Sequence, residues 1–362
     1  MKLLLVTNHS YMFWRFRREL TEALLREHEV VLSTPFVGHE DDFAALGVRC
    51  IETDLDRRGV DPRTDGKLFR FYRQLLRDEA PDLVVTYSIK PNIYMGLACR
   101  LGGVPYCAHV QGLGTAFERP ALAQVVTLLY RAALRRARTV FFENADSAAV
   151  FRSKHILPAS KQTVLRGAGI NLSDYPAVPY PNHAVPHLLY LGRIMREKGM
   201  DELFAALRRL SEEKVPVVLD LVGFFEDEYK AEVEALAAAG VAVFHGFQQD
   251  PRPFYAAADC VVLPSYHEGM SNVLLEAAAT GRPLVTSDIP GCREAVEDGV
   301  TGLLCAPRDA DSLYDALRRM LSLSPAQRAA MGAAGHAKMA REFSRAEVVA
   351  QTCGALFKEG LA

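Results

Sequence analysis

Short apolar runs alternate with amphipathic helical segments along almost the whole chain, and this alternation limits the possible folds more than any other feature. In the segment that holds Phe16, Leu20 and Leu24, apolar residues recur at helical spacing. Such alternation is typical of parallel sheets covered by helices on both faces. The predicted strands are Lys2–Thr7, Val30–Thr34, Val48–Glu52, Leu83–Tyr87, Pro105–Val110, Thr139–Phe142 and Gln162–Leu165, then His187–Gly192, Val217–Val222, Val241–His245, Cys260–Pro264, Leu284–Ser287 and Leu303–Cys305.

One stretch, Ser173–His187, interrupts the pattern with four prolines and little periodicity, as a linker does. We therefore predict an α/β protein with two Rossmann-like, doubly wound parallel-sheet domains facing a central cleft. The predicted parts are a first domain at 1–175, a linker at 176–186, a second domain at 187–342 and an amphipathic C-terminal helix at 343–362. Ligands of such sheets bind at the carboxyl ends of the strands, so functional loops are expected directly after strands.

The composition argues against several classes of protein. No run of about 18 apolar residues is present, so no membrane-spanning helix is predicted. The apolar run at the N-terminus is about five residues long, too short for a signal peptide. Seven cysteines without a Cys-x-x-Cys pair indicate reduced thiols in a cytosolic protein and no zinc site. The basic residues form no dense stripe and the net charge is −2, so nucleic acid is not an expected partner.

The first candidate site loop is Gly192–Gly199, which follows the strand HLLYL. Glycines such as Gly192 let the backbone approach a ligand. Arg193 and Lys198 place two cations at a strand end, ahead of a helix, where they can clamp a diphosphate. An ordinary basic surface turn would explain this loop equally well.

The second candidate loop follows the strand CVVLPS and precedes the helix VLLEAAATG. Ser271 or Asn272 can cap that helix, whose N-terminus would then offer backbone N–H groups to a phosphate. Glu276 lies among apolar helix residues, so its carboxylate needs a polar partner such as a ribose hydroxyl. The residues themselves therefore indicate candidate ligand contacts at Gly192, Arg193, Lys198, Glu268, Ser271, Asn272 and Glu276.

These motifs resemble those of the retaining GT-B glycosyltransferases of family 4. Two glutamates with seven residues between them, Glu268 and Glu276, stand in the family's order with GR…KG at 192–199, LVG at 221–223, HGF at 245–247 and GRPLVTSDIPGCRE at 281–294. Met270 and Ser271 stand where the family more often has Phe and Pro. The resemblance implies donor diphosphate contacts from Arg193 and Lys198, and a last helix that returns to the first domain. It also implies that Glu268 and the backbone of Met270, Ser271, Asn272 and Val273 hold the donor hexose and phosphates, with Gly269 in the same motif, and that Glu276 binds ribose.

The resemblance also implies a mechanism. No metal is expected, because no Asp-x-Asp metal motif is identified in a strand-end loop. No cofactor is expected either, and Arg193, Lys198 and a helix N-terminus would neutralise the departing nucleotide diphosphate. A front-face reaction is implied, in which the donor phosphate helps to deprotonate the acceptor. Glu268 would orient groups rather than act as the nucleophile. The expected catalytic set is Glu268, His109, Arg193 and Lys198.

An aromatic and cationic segment, Asn8–Arg18, opens the first half and departs from the family's usual glycine pair. Such side chains suit a membrane headgroup region, or else form a core helix with solvated arginines. Arg15 is an acceptor-side candidate. Residues 1–180 hold 24 Lys and Arg against 19 Asp and Glu, and the remainder holds 18 against 25. This asymmetry fits either an anionic membrane surface or ordinary scatter.

Two further segments, Ser88–Tyr94 and His109–Phe117, resemble a bacterial branch that extends polyprenyl-diphosphate-linked oligosaccharides, including the bacillosaminyl-diphospho-undecaprenol N-acetylgalactosaminyltransferases. The resemblance implies that Lys90 and Asn92 contact an acceptor diphosphate and that Gly112 admits a sugar. The alternatives are a solvated lysine and a plain loop. His109 would lie near the reacting sugar or would serve packing at a strand end.

We therefore expect a cytoplasmic enzyme, peripheral on the inner face of the plasma membrane, that moves a hexose or N-acetylhexosamine from a nucleotide sugar to a lipid-linked saccharide. UDP is the favoured nucleotide, and the loops near Gly223–Phe225 and Phe247 would select the base. Two alternatives remain at this point: a nucleotide-sugar epimerase of GT-B fold, and a non-catalytic nucleotide-sugar-binding partner of another transferase.

Overall fold

The computed structural model describes residues 1–54, 62–114, 117 and 120–358. The chain divides into two compact units: residues 1–168 together with the segment from 346 onward, and residues 169–345. The boundaries predicted from sequence lie at 175/176 and 342/343, a few residues from this division.

A seven-stranded sheet forms the first unit. Its strands are β1 (Lys2–Val6), β2 (Glu29–Thr34), β3 (Arg49–Glu52), β4 (Leu83–Tyr87), β5 (Tyr106–Val110), β6 (Val140–Phe142) and β7 (Gln162–Val164). Every neighbouring pair is parallel, in the order β3-β2-β1-β4-β5-β6-β7. The order reverses between β1 and β4, so the loops after these two strands flank a topological switch point.

Helices cover both faces of this sheet, because its strands are apolar on both sides. They are α1 (Ser10–Leu25), α2 (Glu40–Ala45), α3 (Pro62–Glu79), α4 (Ile89–Gly102), α5 (Pro120–Leu134) and α6 (Ala145–Ser153). Side chains alternate along a strand. Leu4 of β1 therefore packs in a core with residues of α3, α4 and α5, whereas Leu5 packs with residues of α1 and α2.

A six-stranded parallel sheet forms the second unit. Its strands are β8 (His187–Leu191), β9 (Val218–Val222), β10 (Ala242–Gly246), β11 (Cys260–Leu263), β12 (Leu284–Ser287) and β13 (Gly302–Cys305), and its helices are α7 (Met200–Glu212), α8 (Lys230–Ala238), α9 (Arg252–Ala257), α10 (Asn272–Ala279), α11 (Ala310–Ser322) and α12 (Pro325–Glu342). The order is β10-β9-β8-β11-β12-β13, with its switch point between β8 and β11.

The last helix, α13 (Arg345–Leu356), lies in the first unit, as the family resemblance implied. Val348 and Leu356 of α13 are buried in the core that holds Leu5 and Phe13. Residues 359–362, at the end of the predicted C-terminal segment, lie outside the described residues.

The stretch predicted as a linker packs against the second unit. The buried guanidinium of Arg282 donates from Nη2 to the carbonyl oxygen of Pro179 at 2.8 Å and to that of Ala256 at 2.9 Å. The Tyr180 hydroxyl donates to the carbonyl oxygen of Asp259 at 2.7 Å. These bonds hold residues 179 and 180 on the surface of the second unit. The division itself falls before residue 169, where the backbone of Ile170 is hydrogen-bonded to Phe343 and Arg345.

Candidate functional site

Two loops meet at the switch point of the second sheet: residues 192–199, after β8, and residues 264–271, after β11. The backbone N–H of Tyr266 donates to the carbonyl oxygen of Glu197 at 2.9 Å. Gly199 has φ +74°, and a Cβ atom there would lie 2.1 Å from the Pro264 carbonyl oxygen. Only glycine permits this approach. The first loop therefore depends on a glycine to lie against the second.

Lys198 and Glu268, which the sequence placed in separate loops, form an ion pair. The Lys198 ammonium contacts Oε1 of Glu268, and the Ser265 hydroxyl donates to the same oxygen at 2.8 Å. Both charged side chains are mostly buried, 16% and 15% exposed. An ammonium has three N–H donors, so a lysine held by one carboxylate oxygen keeps the capacity to bind another anion.

Arg193 lies in the same loop and forms a second ion pair. Its Nη1 is 2.5 Å from Oε2 of Glu226, and its side chain is 44% exposed. The Tyr190 hydroxyl donates to the Arg193 carbonyl oxygen at 2.6 Å, which fixes the backbone at the end of β8. Our sequence analysis missed Glu226, although the acidic run at 226–228 after β9 was a usable signal.

The N-terminus of α10 lies at the end of the second loop. Ser271 is the capping residue, and its hydroxyl accepts from the Leu274 N–H at 3.5 Å. Its backbone N–H donates to the Gly291 carbonyl oxygen at 2.8 Å. Asn272 begins the helix, and its Oδ1 is buried without a hydrogen bond in the described structure. The other predicted contacts of this loop are the half-buried Gly269 and Val273 and the buried Met270.

Glu276 lies inside α10 and is 2% exposed. The Tyr255 hydroxyl of α9 donates to its Oε2 at 2.9 Å. The sequence predicted that this carboxylate needs a polar partner, and Tyr255 is one such partner that it did not identify. Because a buried carboxylate is costly without hydrogen bonds, the pair fixes α9 against α10 beside the switch point.

An exposed aromatic pair lies at the ends of two neighbouring strands. Phe224 follows β9 and Phe247 follows β10, and their ring centroids are 6.4 Å apart. Both rings are exposed, although burial of aromatic surface is favourable. These are the loops that were expected to select the nucleotide base.

Two Asp-x-Asp sequences, at 54–56 and 309–311, follow strands, which corrects the expectation that no strand-end loop contains one. Both carboxylates of the second sequence have other roles. Residues 55–56 of Asp54–Asp56 lie outside the described residues. Asp309 caps α11 by accepting from the Ser312 N–H at 2.9 Å, and Asp311 pairs with Arg209 at 3.1 Å. Among the described residues, no group of three or more His, Cys, Asp or Glu side chains is arranged to hold a metal ion.

His109, at the end of β5 in the first unit, lies in the interior and is 1% exposed. Arg17 Nη2 is 3.3 Å from its Nε2 and donates to Glu143 Oε1 at 2.7 Å. Because arginine only donates, Nε2 is the acceptor and the imidazole proton lies on Nδ1. Burial, and then the Arg17 charge, hold the pKa of His109 well below its ordinary value. The imidazole is therefore neutral, and its catalytic assignment stays a prediction.

Arg17 corrects the expectation that the arginines of the Asn8–Arg18 segment are solvated. Its side chain is 4% exposed and is paired with Glu143, a residue that the sequence analysis did not name. Trp14 of the same segment stacks on His39, with ring centroids 5.4 Å apart, and meets Phe43 edge-on. Arg15 is half-buried, with its guanidinium 5.5 Å from the Phe16 ring. The segment therefore packs largely within the first unit.

Lys90 and Asn92 were predicted to contact an acceptor diphosphate, but the structure uses both internally. The Lys90 ammonium pairs with Asp65 Oδ1 at 2.9 Å. Asn92 is fully buried and donates from Nδ2 to the His109 carbonyl oxygen at 3.0 Å. Its Oδ1 accepts from the Thr86 hydroxyl at 2.7 Å. Asn92 thus fixes the end of β5, because both ends of its amide are hydrogen-bonded inside the unit.

Three polar residues at neighbouring strand ends form a cluster that the sequence analysis missed. The Ser88 hydroxyl, after β4, lies 2.9 Å from Asn8 Oδ1, after β1, and 3.0 Å from Gln111 Oε1, after β5. Ser88 has φ 71° and ψ 163°, a region that strongly favours glycine and costs on the order of 1–3 kcal/mol. Gly112 follows Gln111 and is half-buried, whereas Thr115 and Ala116 lie outside the described residues.

In a comparison with known proteins, each half of the chain matches a glycosyltransferase family model. Residues 185–323 match the family model of glycosyl transferases group 1, and residues 14–168 match that of the glycosyl transferase 4-like domain. The chain is 27% identical over 327 residues to the N,N'-diacetylbacillosaminyl-diphospho-undecaprenol alpha-1,3-N-acetylgalactosaminyltransferase of Campylobacter jejuni, covering 85% of this chain and 86% of that protein. It is 38% identical over 164 residues to a glycogen synthase of Mycobacterium tuberculosis, covering 44% of this chain and 39% of that protein.

The fold is also similar to that of solved structures. Anabaena Alr3699/HepE in complex with UDP and glucose superposes with a TM-score of 0.79 at 18% sequence identity, covering 98% of this chain and 99% of that chain. At this identity the likeness supports the GT-B fold alone. In the described part of the chain, no helix is long and apolar enough to cross a bilayer.

Proposed function

Because this chain belongs to the GT-B glycosyltransferases that the group 1 and 4-like models describe, we propose that it moves a hexose or N-acetylhexosamine from a UDP-sugar to a lipid-diphosphate-linked saccharide. The reaction proceeds with retention of the anomeric configuration and without a metal ion. It takes place at the cytoplasmic face of the membrane that carries the acceptor.

The observation that carries the proposal is the set of cations at the switch point of the second unit. Lys198 pairs with Glu268 across the two loops, and Arg193 lies in the same loop as Lys198. The helix that Ser271 caps begins at the end of the second loop. A diphosphate is the ligand that two cations and a helix N-terminus together favour.

The remaining donor contacts are proposed for residues near the same end of the sheet. Glu276, held by Tyr255, supplies carboxylate oxygens that accept hydrogen bonds from ribose hydroxyls. The exposed rings of Phe224 and Phe247 offer apolar surface for a nucleobase. UDP is favoured because Alr3699/HepE, which shares the fold, is described in complex with UDP.

In the proposed reaction, the bond between the anomeric carbon and the diphosphate oxygen breaks and the electron pair leaves with UDP. The acceptor hydroxyl oxygen bonds the same carbon on the same face, and its proton passes to a donor phosphate oxygen. Arg193 and Lys198 stabilise the charge that develops on the departing diphosphate. Glu268 positions Lys198 and is not the nucleophile. Retention then requires no enzyme-bound sugar intermediate.

The acceptor assignment rests on the Campylobacter relative, whose name describes transfer onto a diphospho-undecaprenol-linked sugar. In the first unit, the amide oxygens of Asn8 and Gln111 lie on either side of the strained Ser88 at the switch point. Amide and hydroxyl groups suit sugar hydroxyls, which both donate and accept. We therefore favour this cluster over Lys90 and Asn92 as the acceptor contact.

A donor panel tests the proposal. The protein is incubated with UDP- and GDP-sugars, with and without a polyprenyl-diphosphate-sugar, in the presence of a chelator, and nucleotide release is followed. The proposal expects release with one UDP-sugar that depends on the acceptor and survives the chelator. Donor isomerised without acceptor would identify an epimerase instead, and strict dependence on added Mg²⁺ or Mn²⁺ would refute the metal-independent reaction.

A further inference from the structure

The loop that follows β12, residues 288–294, is part of a motif that the proposed function does not involve. It forms the second half of GRPLVTSDIPGCRE and reads Asp-Ile-Pro-Gly-Cys-Arg-Glu. β12 pairs in parallel with β11, so this loop emerges at the same edge of the sheet as the candidate donor loop at 264–271. The two loops lie side by side, and we call residues 288–294 the β12 loop.

A chain of hydrogen bonds runs from the end of the β12 loop to the start of α10. The Gly291 N–H donates to Oε2 of Glu294 at 2.7 Å. The Gly291 carbonyl oxygen accepts from the Ser271 N–H at 2.8 Å. Because Ser271 is the residue that caps α10, Gly291 connects the Glu294 carboxylate to the N-terminus of that helix.

Gly291 also lies directly against the backbone of the donor loop. Its φ is +85°, and a Cβ atom there would be 2.5 Å from the Gly269 carbonyl oxygen and 2.8 Å from that of Glu268. Only glycine permits such an approach. The Gly269 carbonyl oxygen is therefore held at the surface of the β12 loop.

This contact sets the direction of a backbone donor in the candidate site. The peptide unit that joins Gly269 to Met270 is trans, so its N–H points away from its carbonyl oxygen. The Met270 N–H is thus directed away from the β12 loop. Met270 is 5% exposed, and in the described part of the chain its N–H donates to no protein atom. Buried N–H groups are almost always paired, so this one is suited to a ligand.

We propose that Glu294 is a positioning residue for the transfer reaction: through Gly291 it holds residues 269–271 in the orientation that presents their backbone to the donor sugar. The inference rests on the proposed function and gives a role to a carboxylate that no donor contact requires. Arg193 and Lys198 belong to the loop after β8, so loss of Glu294 should affect the sugar contacts of the donor more than its diphosphate contacts.

The β12 loop has supports of its own that do not involve the Glu294 side chain. Arg293 pairs through Nε with Asp288 Oδ1 at 2.7 Å and donates from Nη2 to the Asp288 carbonyl oxygen at 2.9 Å. The Cys292 N–H donates to the Ile289 carbonyl oxygen at 3.2 Å, and the Cys292 side chain is buried. These contacts remain in a Glu294 variant, so the loop should stay folded while Gly291 loses its acceptor.

Two substitutions at Glu294 separate the acceptor role from packing. Leucine cannot accept a hydrogen bond, so Glu294→Leu should weaken the binding of a UDP-sugar and lower kcat, each by about tenfold or more. Glutamine keeps an oxygen that accepts from the Gly291 N–H, so Glu294→Gln should stay within about threefold of the unchanged protein. Glu297→Leu makes the same change at an exposed residue of the same region and should have no effect.

Calorimetry of the full chain with UDP and with the UDP-sugar that it prefers is the first measurement. The ratio of the two dissociation constants reports the sugar contacts, and it can be measured whether or not transfer occurs. UDP affinity should change by no more than about twofold in Glu294→Leu, because the diphosphate contacts lie in another loop. Transfer kinetics of the same variants then give kcat.

Equal ratios in Glu294→Leu and Glu297→Leu would overturn the inference. Parallel losses of UDP and UDP-sugar affinity in Glu294→Leu would also overturn it, because they would show general damage to the unit. A loss in Glu294→Gln as large as that in Glu294→Leu would exclude the hydrogen bond to Gly291 as the cause. Failure of the unchanged protein to bind UDP or any UDP-sugar would instead refute the proposed function itself.

Discussion

Replacing Lys198 by methionine removes the mostly buried cation of the candidate donor site while keeping most of its side-chain volume. Lys198 lies where the two switch-point loops meet and contacts Glu268. If it stabilises the departing diphosphate, its charge matters most when the bond to the sugar breaks. The variant should therefore lose kcat more than it loses affinity for the donor.

The magnitude follows from the burial of the pair. A preorganised donor in a mostly buried site typically contributes about 2.7–4 kcal/mol to the transition state, or about 10² to 10³ in kcat. The Lys198 side chain is 16% exposed, so solvent screens it only partly. Glu268 keeps its bond from Ser265 in the variant, which limits the structural damage.

Steady-state transfer kinetics with a matched control measure this effect. Arg196→Met removes a cation from the same loop, but the Arg196 side chain is 76% exposed. We expect Arg196→Met to stay within about threefold of the unchanged enzyme and Lys198→Met to fall by at least about a hundredfold in kcat. Equal losses in the two variants would show that general loop charge, and not a positioned ammonium, supports the reaction.

Three further predictions use other parts of the structure. Gly199→Ala should destabilise the second unit by about 2 kcal/mol or more, measured as a lower thermal midpoint, because the new Cβ atom would clash with the Pro264 carbonyl oxygen and the backbone is left-handed there. Gly240→Ala is the control, since Gly240 is also left-handed but its Cβ atom would have no neighbour within 4 Å. Equal midpoints for the two variants would contradict this prediction. Glu276→Gln should raise the Kd for UDP, measured by calorimetry, by about tenfold, and Tyr255→Phe should raise it by less. An unchanged Kd in the Glu276→Gln variant would contradict the assignment of Glu276 to the ribose. The pKa of His109 is lowered in the folded state, so below a pH of about 6.5 the unfolded chain binds a proton that the folded chain does not bind. The free energy of unfolding should therefore fall by up to about 1.4 kcal/mol per pH unit as the pH drops below that value. His109→Gln should reduce that slope in urea unfolding, and an unchanged slope would refute the assignment.

The fold could be predicted from the sequence because its signal is periodic and repeated. Within the described residues, each of the thirteen strands overlaps a predicted one. Apolar runs between amphipathic helices leave few architectures other than two doubly wound sheets. The boundary near residue 169 was less predictable, since the stretch at 173–187 has the composition of a linker yet is held on the second unit by Arg282, about a hundred residues later.

The site could be predicted where it lies on contiguous motifs, and not where it depends on distant partners. The loops at 192–199 and 264–271 are each visible in sequence, but the contact between Lys198 and Glu268 joins them only in the fold. Arg17 looked like a solvated helix cation, because nothing local shows that Glu143 meets it inside the unit. Nothing in the amino-acid sequence around Ser88 indicates its strained backbone.

The most direct test of the central proposal is the mass and anomeric configuration of the product formed from a UDP-sugar and a polyprenyl-diphosphate-linked saccharide, with chelator present. We predict an acceptor heavier by one sugar, joined in the same configuration that the sugar had in the donor, as read from its anomeric NMR signal. A product of opposite configuration would contradict the retaining reaction. A donor consumed while the acceptor mass stays unchanged would contradict the transferase function proposed for this chain.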